Sequence, residues 1–219
     1  MINKRSTKKR KMKNNVFLMG IVLAFLFSCT NETEQGQTSL PYLGHHDILN
    51  GDTTYHRVPD FNYLTQDSVL LSSTAIEGKV WVAKFFFTKC PTICPPMTAS
   101  MHELVKELDE YANEIVFLSF TIDPENDTPK QLRAYRKTYE IEHLNWFFLT
   151  GDETETHDLG VHGFFIHAQA DEDAPGGFAH SPNFVLVDEN RNIRGVYDGL
   201  EKQERERLVS DIKHLLENE

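Results

Sequence analysis

The sequence predicts an α/β fold: a central sheet covered by helices on both faces, behind a short β extension. Three observations carry this. Strand-like and helix-like segments alternate from about Leu40 onward, as in a sheet layered with helices. Two of the strand-like runs, KVWVAKFFF (Lys79–Phe87) and EIVFLSFTI (Glu114–Ile122), are apolar almost throughout. A strand with one solvated face alternates, so these two are expected to be buried on both faces. Near the end, NFVLVDENRNIRGVYDG (Asn183–Gly199) reads as a β-hairpin turning at Glu189–Asn192, and one more helix follows it.

The elements follow in order. TYHRVPDFNYL and SVLLS give short β candidates around 53–73. After the first central strand a helix is expected from about Pro95 to Ala112. Its apolar residues Met97, Met101, Leu104, Val105, Leu108 and Tyr111 recur every three to four positions and form one face. The second central strand is followed by Thr128 and Pro129, an N-cap with proline at the first helical position, opening a helix to about Tyr139. NWFFLTG is a third strand, and ETETHDLGVHGF a short helix. The last helix runs from about Glu201 to Leu216, with Leu208, Val209, Ile212, Leu215 and Leu216 as its buried stripe. The order is β-α-β-α-β-α-β-β-α. With two cysteines at the end of the first central strand, it is by analogy the thioredoxin-like arrangement.

The N-terminus bears on compartment. Residues 1–15 hold seven Lys or Arg and no acid, and VFLMGIVLAFLF (Val16–Phe27) follows. That run is short of the roughly 20 residues that span a bilayer. A basic segment before a short apolar one is a secretory signal pattern. LFSCT resembles a bacterial lipoprotein signal in which Cys29 becomes the lipidated first residue, although Phe27 departs from the small or aliphatic residue usual there. An uncleaved N-terminal anchor is the alternative. On either reading the chain is exported and held at a membrane, on the periplasmic side of a bacterial envelope. The expected organisation is a signal over 1–28, a polar tether over 29–39 and one domain over 40–219. Without residues 1–28 the 22 Lys+Arg fall by seven to 15 against 33 Asp+Glu, a net charge of −18. Nucleic-acid binding needs a basic footprint, so nucleic acid is excluded as a partner.

Cys90 and Cys94, in FFFTKCPTICPPM, are separated by three residues. They follow a strand and open a helix, where the dipole and free N–H groups favour a thiolate. If the first turn is helical, they share one face at i and i+4. Such a pair can close a reversible disulfide or hold a soft metal. An iron–sulfur cluster or a closed structural zinc site asks for four ligands. A static staple would close a very short loop, where the entropic gain is small. His180, in FAHSPNFVLVD, precedes the strand that begins near Asn183 and is expected to enter beside the cysteine helix. Two sulfurs and an imidazole suit copper in both oxidation states, Cu(I) and Cu(II). Pro182 stands where thioredoxin-like folds often carry a cis-proline, against a base rate of about 5–6% for X–Pro bonds.

Together, FFFTKCPTICPPM, TIDPENDTP and FAHSPNFVLVD resemble the three signature blocks of the Sco/SenC family, over roughly Leu40 to Leu216. That resemblance implies a membrane-tethered copper-delivery protein that helps build the dinuclear copper centre of cytochrome c oxidase. Its partner would be the oxidase's copper-accepting subunit or another copper or thiol protein. It implies Cys90 and Cys94 as thiolate ligands or redox pair, His180 as third ligand and Asp123 as a supporting acid. A thiol–disulfide oxidoreductase that keeps target cysteines reduced needs the two cysteines but not His180. A peroxidase would need a single attacking thiol in its own motif, which is absent.

Other residues are expected to be bland. Asp123 also suits a turn, before Pro124, and Asp127 reads as helix-start chemistry. Met97 and Met101 match the buried stripe. His45 and His46 lie in a polar segment ahead of the first predicted strand, and His102, His143, His157, His162, His167 and His214 have no cysteine neighbour in sequence.

Overall fold

The computed structural model describes residues 39–166, 168–170 and 178–218, with 168–170 and 178–180 described by backbone alone. Residues Ser39–Glu219 form one unit. Its strands are β1 (His46–Leu49), β2 (Asp52–Tyr55), β3 (Asn62–Thr65), β4 (Leu70–Ser72), β5 (Val80–Phe86), β6 (Ile115–Thr121), β7 (Trp146–Thr150), β8 (Ala168–Ala170), β9 (Phe178–His180), β10 (Asn183–Val187) and β11 (Ile193–Asp198). Its α-helices are α1 (Cys94–Glu107), α2 (Pro129–Thr138), α3 (Glu153–Asp158) and α4 (Lys202–Asn218).

Seven strands make the main sheet, in the order β11-β10-β5-β6-β7-β3-β4. β5 pairs parallel with β6, and β6 with β7, while β10 joins β5 antiparallel. Every residue of β5 and β6 is buried. This is the double-sided coverage expected of their unbroken apolar runs. The anticipated hairpin is β10–β11, and the anticipated extension is β3–β4 at the opposite edge.

Local chemistry sets the helix limits. Thr128 caps α2 by accepting from the Gln131 N–H, and Pro129 is the first helical residue; such a cap is worth about 1 kcal/mol. α1 ends at Glu107, short of the expected Ala112. Leu108 leaves helical geometry at φ −103°, and Asp109–Tyr111 forms a 3₁₀ turn instead. The short helix α3 runs directly into a π-helical turn over Leu159–Gly163.

Two further hairpins were not expected. β1 and β2 are exposed at every residue, so no burial pattern marks them. Their turn is Asn50-Gly51, with φ +55° and +92°. That Asn-Gly signal alone identifies the hairpin. β8 and β9 pair antiparallel, with Ala168 opposite His180. No cis peptide bond occurs among the described residues, so the Ser181–Pro182 bond is trans.

Candidate functional site

The site is set by two loops that leave neighbouring parallel strands at the same end. Phe85 lies opposite Phe120 and Phe86 opposite Thr121, and the Ile122 N–H donates to the Phe86 carbonyl at 3.0 Å. The loop after β5 carries Cys90, and the loop after β6 carries Asp123 and Asp127. Clefts beyond the carboxyl ends of parallel strands are where α/β sheets hold ligands. The third motif arrives at the same end. β10 runs antiparallel to β5, with Val185 opposite Ala83 and Val187 opposite Trp81. Its entrance at Asn183, three residues after His180, therefore lies at the end of β5 from which the cysteine loop departs.

Cys94 is the first residue of α1, and Cys90 lies in the loop before it. The expected shared helical turn is not formed, because residues 91–93 are bends rather than helix. The sulfurs are gathered differently. Of the three residues that open the helix, Pro95 and Pro96 have no N–H. The Cys94 N–H is thus the first donor of the helix proper, and it reaches the Cys90 sulfur at 3.5 Å. Cys90 Sγ takes the place of a capping oxygen, since Ile93 at the N-cap makes no side-chain cap bond. A sulfur held there carries negative charge favourably. Thr92 Oγ1 lies 3.7 Å from the same sulfur.

Both cysteines are reduced and buried, Cys94 completely. The Cys94 thiol is pushed far above the ordinary range, first by its hydrogen bond with Cys90 and then by burial; a backbone hydrogen bond from Phe87 and the charge of Lys84 act against this. A shared proton between two close sulfurs favours the state in which only one is ionised. A cation that accepts both sulfurs removes that conflict.

Asp127 is the main correction to the sequence reading. It does not cap α2, which Thr128 does. Its carboxylate is fully buried and accepts from the Thr88 N–H at 2.9 Å, the Thr88 hydroxyl, and the Thr121 hydroxyl at 2.6 Å. It therefore ties the cysteine loop to the end of β6. Burial raises its pKa, against the lowering effect of those three bonds. Asp123 is buried in the same turn. Its two oxygens accept from Asn126 Nδ2 at 2.9 and 3.0 Å, and Asn126 Oδ1 accepts from Lys89 beside Cys90. Asp123 thus reaches the cysteine loop through Asn126.

Sequence reasoning singled out neither Asp127 nor Lys84 for the site. The available signals were a second acid immediately before the Thr128 cap and a lone lysine inside an otherwise apolar strand. Met97 and Met101 are fully buried in the core, as their spacing indicates. His157, set aside on sequence, lies with Nε2 3.3 Å from the Ile122 carbonyl, next to Asp123. Among the described residues no group of three His, Cys, Asp or Glu is placed to hold a metal. The His180 side chain and Cys29 lie outside the described residues.

Fold and site together define a class: a thioredoxin-like α/β domain with a reduced dithiol where its first central strand turns into a helix. The SCO1/SenC family model matches residues 50–217. The SCO1 protein homolog of Bacillus subtilis (strain 168) is 34% identical over 192 residues, covering 87% of this chain and 92% of that protein. BsSco, a member of the Sco family of cytochrome c oxidase assembly proteins in which a disulfide switch was identified, superposes with a TM-score of 0.68. It is 32% identical and covers 83% of this chain and 100% of its own. ScoI of Bradyrhizobium japonicum, solved with copper bound, has a TM-score of 0.61 at 20% identity, covering 73% of this chain and 99% of its own, a likeness of fold alone. This chain belongs to the SCO1/SenC family.

Proposed function

We propose that this protein is a membrane-tethered copper metallochaperone that assists assembly of the dinuclear copper site of cytochrome c oxidase. One observation carries the reading: at the head of α1 Cys90 Sγ accepts from the Cys94 backbone N–H at 3.5 Å and also hydrogen-bonds with the Cys94 thiol, so the two sulfurs face one spot. Soft thiolates select Cu(I), and His180, three residues ahead of β10, which enters at the same end of the sheet, supplies the imidazole that Cu(II) needs. Asp123 and Asp127 hold the second loop against the first. The 1–28 signal, lipidation at Cys29 and the 29–39 spacer place the 40–219 domain on the periplasmic face of a bacterial envelope, within reach of a membrane-embedded acceptor. Among the described residues no helix is long and apolar enough to cross a membrane.

A second reading is favoured by the same thiol pair: a thiol–disulfide reductase that prepares the acceptor's cysteines. Copper transfer needs reduced thiols at both ends, so the two roles are compatible.

The test is an anaerobic copper titration of the reduced Ser39–Glu219 unit beside His180→Ala. One tightly held Cu(I) per chain, with Cu(II) binding crippled in His180→Ala, is the expected result. Weak copper binding together with ready cycling to a disulfide would overturn the chaperone reading and leave the reductase.

A further inference from the structure

Lys84 is the one charged residue of β5, and its side chain is fully buried. Its Nζ donates to Thr98 Oγ1 at 2.9 Å and lies 5.5 and 5.7 Å from the ring centroids of Phe86 and Trp146. Thr98 Oγ1 in turn is 2.9 Å from the Tyr135 hydroxyl. Among the described residues no carboxylate pairs with this ammonium. A buried cation without an anion is costly by several kcal/mol, and burial pulls Lys84 down to about 7; the Cys94 sulfur is the charge that acts in the opposite direction. Thr98 sits four residues after Cys94 in α1, and both are fully buried. Residues at i and i+4 share a helix face about one turn apart. The ammonium is therefore anchored one turn beneath the Cys94 sulfur.

We propose that Lys84 is the charge partner of the Cys90–Cys94 pair, a positioning cation held by Thr98, itself fixed by Tyr135, that offsets the negative charge two thiolates bring to the buried end of the sheet. Two thiolates on one monovalent copper leave one net negative charge in a poorly solvated place. An ammonium already fixed there supplies the counter-charge without rearrangement. The choice of cargo rests on the copper reading above, while the electrostatic role does not.

The test uses the full chain in detergent, reduced and anaerobic, as wild type, Lys84→Met and Lys84→Gln. Two quantities are read: Cu(I) affinity against a competing chelator, and the rate at which iodoacetamide alkylates the metal-free cysteines at neutral pH. Urea unfolding of the metal-free proteins serves as the control for folding. The expected result is at least a tenfold loss of Cu(I) affinity and a several-fold slower alkylation in a variant as stable as wild type. Methionine fills the same apolar space, and glutamine keeps a donor for Thr98 should the methionine variant misfold. Unchanged affinity and unchanged alkylation in a folded variant would overturn the proposal. If the wild type itself fails to hold Cu(I), the copper reading falls, and alkylation alone decides Lys84: slower supports it, unchanged overturns it.

Discussion

Asp127 shows how a residue's role depends on what its oxygens touch. Beside Thr128 and Pro129 it resembles part of a helix start. In the fold it is the acceptor for two donors of Thr88 and one of Thr121. Truncation would strand the part-buried Thr88 N–H and both hydroxyls, each worth roughly 1–3 kcal/mol when left unpaired in the interior. Asp127→Ala is therefore expected to lower stability by about 3 kcal/mol and to weaken copper binding by loosening the loop. Asp127→Asn keeps one acceptor and should lose less. Urea unfolding of both variants, metal-free, checks this; equal stability across wild type and Ala would show that the bonds hold nothing. Cys90 also has two roles, as sulfur donor and as the helix cap. Serine can still cap, so Cys90→Ser is expected to stay folded while tight copper binding is lost.

β5 joins core and site within one element. Its burial on both faces was predictable from its unbroken apolar run. Its lysine was not predictable, since a lysine in sequence does not say whether it reaches solvent. The lowered pKa of Lys84 has a measurable consequence. Between about 7 and the ordinary 10.5 the unfolded chain holds a proton that the folded chain has released, so stability rises with pH across that window. Lys84→Met removes this dependence. Relative to that variant, the metal-free wild type is expected to gain about 2 kcal/mol between pH 7 and pH 9. Denaturant unfolding at the two pH values reads it. A constant difference would mean that the buried amine does not titrate as its surroundings dictate.

At the scale of the whole molecule, the proposed copper role makes the metal a ligand of the folded state. A ligand that binds only the native form stabilises it by about 4 kcal/mol at a thousandfold excess over its dissociation constant. Adding Cu(I) to the reduced protein should raise its melting temperature, and the rise should vanish in the Cys90→Ser, Cys94→Ser double variant. Scanning calorimetry under anaerobic conditions makes the comparison. A similar rise in the double variant would place the copper elsewhere on the chain. The acidic balance of the sequence, −11 over the full chain, is compatible with a cationic partner or with solubility alone.

The sequence by itself determined the alternation of strands and helices, the two buried central strands, the terminal hairpin, the Thr128 cap and the three motif blocks that carry the family. These are local properties, written in periodicity, in capping residues and in spacing along the chain. It also offered Cys90, Cys94, His180 and Asp123 as candidate site residues. The tertiary structure decided what those residues touch. It put the cysteines on either side of a helix start rather than on one helical turn, because Pro95 and Pro96 leave the Cys94 N–H as the donor for Cys90. It turned Asp127 from a helix-start residue into the tie between two loops, and it buried Lys84 one turn below Cys94. Such contacts depend on which strands pair in parallel and in what register. Residues 39 positions apart, Thr88 and Asp127, meet only once that register is set, so no local pattern announces them.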